Sequence, residues 1–141
     1  MNKTGPIIII EDDLDDQEIL LQVFQNLDYK NEIIFFSDGE MALEHLTKTH
    51  IEPFIIFSDI NMPKLSGMEL RAKIHENEDL RLKSIPYLFF STVAEQDNVV
   101  DAYSKSVQGF FIKPYSFEDI QDVIKTIVEY WQKCVSPNYI K

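Results

Sequence analysis

Pro53-Phe54-Ile55-Ile56-Phe57-Ser58-Asp59-Ile60-Asn61-Met62-Pro63-Lys64-Leu65-Ser66-Gly67 runs from an unbroken apolar stretch into a lone carboxylate and then into a constrained turn. Such a run, with no polar residue on either face, is the pattern of a parallel strand covered on both sides. Asp59 stands where the run ends, so it sits at the carboxyl edge of a sheet, where open α/β folds collect ligands and chemistry. Pro63 fixes φ and lacks an amide hydrogen, while Gly67 tolerates unusual backbone angles, so the residues after Asp59 form a loop. One reactive position follows a rigid rod and precedes a constrained turn.

The same grammar recurs on either side. After Met1 to Gly5, read as a frayed leader, Pro6-Ile7-Ile8-Ile9-Ile10 is a central strand rich in β-branched residues, and it ends in Glu11-Asp12-Asp13. Ile19, Leu20, Val23, Phe24 and Leu27 recur at helical spacing, and the polar stretch Asp28 to Asn31 closes that helix. Glu32 to Phe36 is a second strand, and Ser37-Asp38-Gly39 supplies cap chemistry for a helix from Glu40 to Lys48. Beyond the Asp59 strand the pattern predicts a helix from Ser66 to Asn77 and a polar loop from Glu78 to Ser84. A fourth strand, Pro86 to Phe90, then ends at Ser91-Thr92. A helix from Asp97 to Ser106 is expected with Val99, Val100 and Tyr103 inward, then a fifth strand, Gly109 to Ile112, stopped by Lys113-Pro114. The last helix, Ser116 to Lys133, carries Ile120, Ile124, Ile127, Val128 and Trp131 in one stripe, with Ser116 and Asp119 as a capping pair. Five strand-helix alternations with short links imply a parallel sheet with helices on both faces.

At 141 residues the chain suits one domain, with a core from about residue 6 to 133 and a tail over 134–141 that leaves no room for an output domain. The net charge of -11 disfavours nucleic acid and anionic membrane as direct partners. Cys134 has no partner for an internal disulfide and reads as a partly packed helix-end residue. With no signal peptide or transmembrane stretch in the sequence, the expected location is cytoplasmic. His45, His50 and His75 share no metal spacing and read as solvated.

In a parallel sheet all strands end at one edge, so Glu11, Asp12, Asp59, Ser91 and Lys113 become neighbours. Crowded carboxylates repel one another and require raised pKa values or a bound cation. Hard oxygen donors without His or Cys point to Mg²⁺. Asp59 can act as a nucleophile toward phosphorus, with Lys113 and the Ser91 hydroxyl stabilising the transferring group. Asp13, Asp15 and Asp16 read instead as a solvated acidic turn at a helix start.

With these parts in order, the chain resembles the receiver domain of two-component response regulators over nearly its whole length. The resemblance rests on Glu11-Asp12, Asp59, Met62-Pro63, Gly67, Ser91 and Lys113-Pro114. It implies a flavodoxin-like (βα)5 fold with strand order 2-1-3-4-5, and Asp59 as phosphoacceptor. The metal ligands it implies are Asp12, Asp59 and the Asn61 main-chain carbonyl, with Glu11 acting through a metal-bound water. It further implies a cis peptide at Pro114, and a switch in which Ser91 moves toward the phosphoryl group and Phe110 turns inward. The activity implied is that of a signalling phosphoacceptor that promotes its own phosphorylation and dephosphorylation, not of an enzyme with a separate substrate. Its phosphodonor is a sensor histidine kinase or a phosphotransfer protein.

Two positions depart from the family pattern. Thr92 replaces the usual small alanine and is expected to crowd the acceptor, and Phe110 lacks the hydroxyl of the common tyrosine. The segment Glu78 to Ser84 and the ending Tyr130-Trp131-Gln132-Lys133 are similar to the phytochrome-associated single-domain subgroup, which suggests a homodimer through the face of the fourth and fifth predicted helices. Three rivals fit less well. A haloacid-dehalogenase-type phosphohydrolase places its nucleophile after the first strand, and a flavodoxin-like FMN carrier needs a phosphate loop where Glu11-Asp12-Asp13 stand. A binding module that is never phosphorylated has no use for the complete acidic and basic set.

Overall fold

The structure, a computed structural model, describes residues 1–92 and 96–137. Five parallel strands, β1 (Ile7–Ile10), β2 (Ile33–Phe36), β3 (Ile55–Ser58), β4 (Tyr87–Ser91) and β5 (Gly109–Ile112), form one sheet in the order β2-β1-β3-β4-β5. This is the receiver-type flavodoxin-like arrangement. The register sets Ile10 beside Ser58, and Ser91 beside Ile112, so the strand ends share one edge.

Among the described residues six helices cover the faces: α1 (Leu14–Leu27), α2 (Gly39–Lys48), α3 (Gly67–Glu76), α4 (Glu78–Leu82), α5 (Gln96–Ser104) and α6 (Phe117–Lys133). Strand side chains alternate between two cores. Ile7, Ile9, Ile55, Phe57, Leu88 and Phe90 pack with α1 and α6 through Val23, Phe24, Ile124 and Val128. Ile8, Ile10, Ile56, Tyr87 and Phe89 pack on the opposite side with Ala42, Leu46, Leu70, Ile74 and Ala102. Burial on both faces is why β1, β3 and β4 read as unbroken apolar runs.

Four expectations are corrected. Glu78 to Ser84 is not all loop: Asn77 caps a short helix, accepting from the Leu80 amide at 3.0 Å, because Leu80 alone reaches the core and anchors one turn. Val100 and Tyr103 face outward, 59% and 54% exposed, while Ala102 packs inward. Here a small residue fits close to the sheet, and the larger apolar ones are left outside. Met1 is buried in the α1/α6 core, with the Ser136 hydroxyl donating to its carbonyl, so the leader is pinned. His45 is half-buried rather than solvated, its ring 5.1 Å from Phe36.

Candidate active site at the carboxyl edge

Each functional side chain leaves the sheet where a strand stops and a local device turns the chain. After β1, Glu11 points into the edge and is 2% exposed, its Oε2 accepting from the Asp13 amide at 3.3 Å, and Asp13 in turn caps α1 by accepting from the amides of Asp15 and Asp16. After β3, Asp59 is anchored by its amide on the Ile10 carbonyl at 3.0 Å, and its Oδ1 accepts from the Ile60 amide at 2.7 Å. Ser66 and Glu69 form a reciprocal capping box that starts α3 immediately behind it. Ser91 ends β4 buried, and its carbonyl accepts from the Lys113 amide at 2.7 Å, which brings β5's last step into the site.

Lys113 is the centre of charge. Its Nζ bonds Glu11 Oε1, lies 3.2 Å from Asp16 Oδ2 and 3.7 Å from Asp59 Oδ2. Burial pushes the Glu11 carboxyl up and the Asp59 charge adds to it; Lys113 opposes both, and the result is about 7. Burial alone lowers the Lys113 ammonium, but the Glu11 bond and the charges of Glu11, Asp59 and Asp16 more than offset it and hold it above the ordinary lysine value. A single cation is thus shared among several carboxylates.

Carboxylate oxygens of Glu11, Asp12 and Asp59 all lie within 4.8 Å of one another. That donor set fits a hard divalent cation: all ligands are oxygen, and Asp12 is open to solvent, so bound water can be kept. Asn61 is exposed in the loop beyond Asp59. Phe110 is half-buried against Phe89, with ring centroids 5.8 Å apart. The structure therefore brings Glu11, Asp12, Asp59, Ser91 and Lys113 to one edge.

Two readings change here. The Lys113–Pro114 peptide is trans, as are all peptide bonds among the described residues. Trans is favoured before proline by about 0.5–1 kcal/mol, and Lys113 is placed by its own amide bond to Ser91, upstream of the proline ring. Asp16, read as a solvated cap residue, instead joins Lys113. It stands on the first turn of α1, three residues past the Asp13 cap, and that place directly after the acidic strand end was the available signal.

The fold and this edge define a two-component receiver. The chain belongs to that family: the model of the response regulator receiver domain matches residues 7–125. Among curated proteins it is 32% identical to the probable methanogenesis regulatory protein FilR2 of Methanothrix harundinacea over 89% of this chain and 82% of that one. It is 27% identical to response regulator Rcp1 of Synechocystis over 96% of this chain and 94% of Rcp1. The crystal structure of Mn²⁺-bound Rcp1 superposes with a TM-score of 0.80, covering 94% of this chain and 97% of that one. A phosphorylated cyanobacterial phytochrome response regulator, RcpA, shares the fold at 24% identity and a TM-score of 0.80, covering 94% of this chain and 98% of that one. No helix among the described residues is long and apolar enough to cross a membrane.

Proposed function

We propose that this protein is a phosphorylation switch of the cytoplasm, which takes a phosphoryl group from a histidine kinase or a phosphotransfer protein onto Asp59. The observation that carries the reading is the Lys113 ammonium 3.7 Å from Asp59 Oδ2, with carboxylate oxygens of Glu11 and Asp12 within 4.8 Å of the same carboxylate. Asp59 attacks phosphorus through a carboxylate oxygen, and the donor's bond to phosphorus breaks as the acyl phosphate forms. Glu11, Asp12 and Asp59, with the Asn61 carbonyl, would hold Mg²⁺, which when bound offsets charge on the phosphoryl oxygens. Lys113 balances the remaining negative charge, and the Ser91 hydroxyl donates to a phosphoryl oxygen. Phe110 then follows Ser91 inward against Phe89.

The face that reports this change is formed by α5, β5 and α6. Val100 and Tyr103 on α5, Ile112 on β5 and Tyr115 in the link to α6 are exposed, large apolar side chains that suit a protein partner. A second copy of this chain is the partner we favour.

The test is incubation with Mg²⁺ and acetyl phosphate followed by intact-mass measurement. A gain of one phosphoryl group, labile to hydroxylamine and absent in Asp59→Asn, is expected. Absence of any gain, even with a competent kinase, would return the protein to the class of unphosphorylated binding modules.

A further inference from the structure

Tyr87, the first residue of β4, is wholly buried, yet it carries a hydroxyl into the core on the α3 side. Its Oη donates to the Gly67 carbonyl at 3.1 Å. Gly67 is no ordinary helix start. A Cβ there would lie 2.1 Å from the Asp59 carbonyl oxygen and 3.0 Å from Ser58 Oγ, so its main chain rests directly on the back of the acceptor. The Ser58 hydroxyl donates to that same Asp59 carbonyl at 2.7 Å, and the Gly67 amide to the Ile60 carbonyl at 2.8 Å. Gly67 thus packs against the Asp59 carbonyl and is bonded through its amide to the residue that follows.

The other side of Tyr87 faces the switch strand. Its amide donates to Gln108 Oε1 at 2.7 Å and its carbonyl accepts from the Gln108 amide at 3.0 Å, two residues before Phe110. Arg71, one turn along α3 from Gly67, lies 5.5 Å over the Tyr87 ring. Its Nε and Nη2 donate to the carbonyls of Lys105 and Ser106, at 3.1 and 2.7 Å. Ser106 holds a left-handed φ of 62°, a conformation costly for a serine unless its surroundings fix it. Arg71 is 6% exposed, so this is an interior tie and not a surface contact.

We propose that Tyr87 is a positioning residue for phosphoryl acceptance: its hydroxyl holds the Asp59 main chain through Gly67, and Arg71 ties that unit to the α5–β5 turn. The inference rests on Asp59 being the acceptor. The path runs behind the acceptor, through α3, rather than over the phosphoryl group, and it meets the switch where the Tyr87 ring packs on Phe89, which in turn contacts Phe110. Small misplacements of a reacting atom are expensive in rate even when binding is intact.

The experiment uses the full chain and Tyr87→Phe, which keeps the ring and loses only the hydroxyl. Initial labelling by acetyl phosphate at saturating Mg²⁺ is followed by intact mass, and Mg²⁺ affinity by calorimetry, well below the unfolding midpoint. Labelling should slow by about tenfold, with Mg²⁺ affinity unchanged. A purely structural role would lower the unfolding midpoint and leave the rate of the folded protein at the wild-type value, which overturns the proposal. If the tyrosine variant does not fold, Arg71→Lys carries the test. Slower labelling together with faster amide exchange at Lys105 to Val107 supports the tie, and wild-type labelling overturns it. Wild-type protein that never labels removes the acceptor reading itself, and this inference with it.

Discussion

Glu11 and Lys113, 102 residues apart in sequence, meet as an ion pair with side chains only 2% and 8% exposed. Two buried charges of opposite sign stabilise a fold weakly at best, because desolvation offsets their attraction. Their placement is therefore better explained by chemistry: Lys113 is the positive pole against which Glu11, Asp16 and Asp59 are arranged.

Lys113→Ala separates that role from metal binding. Mg²⁺ should bind more tightly to the variant, since a competing positive charge beside Asp59 is gone. Labelling by acetyl phosphate should slow by roughly 10²-fold, the scale for losing one transition-state donor. Calorimetry and intact mass on one preparation read both, and a parallel fall in affinity and rate would contradict the assignment.

Mg²⁺ should raise the thermal unfolding midpoint, because it binds only where Glu11, Asp12 and Asp59 are assembled. At a concentration about a hundred times the dissociation constant the stabilisation is ~2.7 kcal/mol. Asp12→Asn should lose most of that shift while unfolding near the wild-type temperature in chelator, as Asp12 is exposed. Differential scanning fluorimetry with and without chelator decides it.

Gly67→Ala should destabilise by roughly 3 kcal/mol, near the upper end for point substitutions. The added methyl meets the Asp59 carbonyl, a main-chain atom that cannot swing aside. Urea unfolding measures the loss. Ser66→Ala, one residue earlier, removes only a cap and should cost about 1 kcal/mol.

Tyr103→Glu should abolish self-association of the beryllofluoride-treated protein in sedimentation velocity, and leave labelling by acetyl phosphate at the wild-type rate. Tyr103 is 54% exposed on α5, on the face proposed for the second copy. An unaltered sedimentation profile of an associating species would move the interface elsewhere.

The strands and their order of appearance were legible because a sheet covered on both faces leaves runs such as Ile7 to Ile10 and Pro53 to Phe57 with no polar interruption. Less was legible where one residue does the packing. Leu80 alone holds α4, too little periodicity to distinguish a turn of helix from a loop. Val100 and Tyr103 looked inward because apolar spacing marks a stripe without saying whether sheet or partner covers it.

By itself the sequence determined which residue types end which strands: acids after the first, Asp59 after the third, Ser91 after the fourth and Lys113 after the fifth. Parallel pairing then makes them neighbours, since all strands finish at one edge. Only the tertiary structure decided what lies behind and beside that edge. Asp16 turns to Lys113, the Lys113–Pro114 peptide is trans, Met1 is pinned, and Tyr87 reaches Gly67 across the core. Those choices depend on distances between side chains of different elements, which no local pattern of polar and apolar residues encodes.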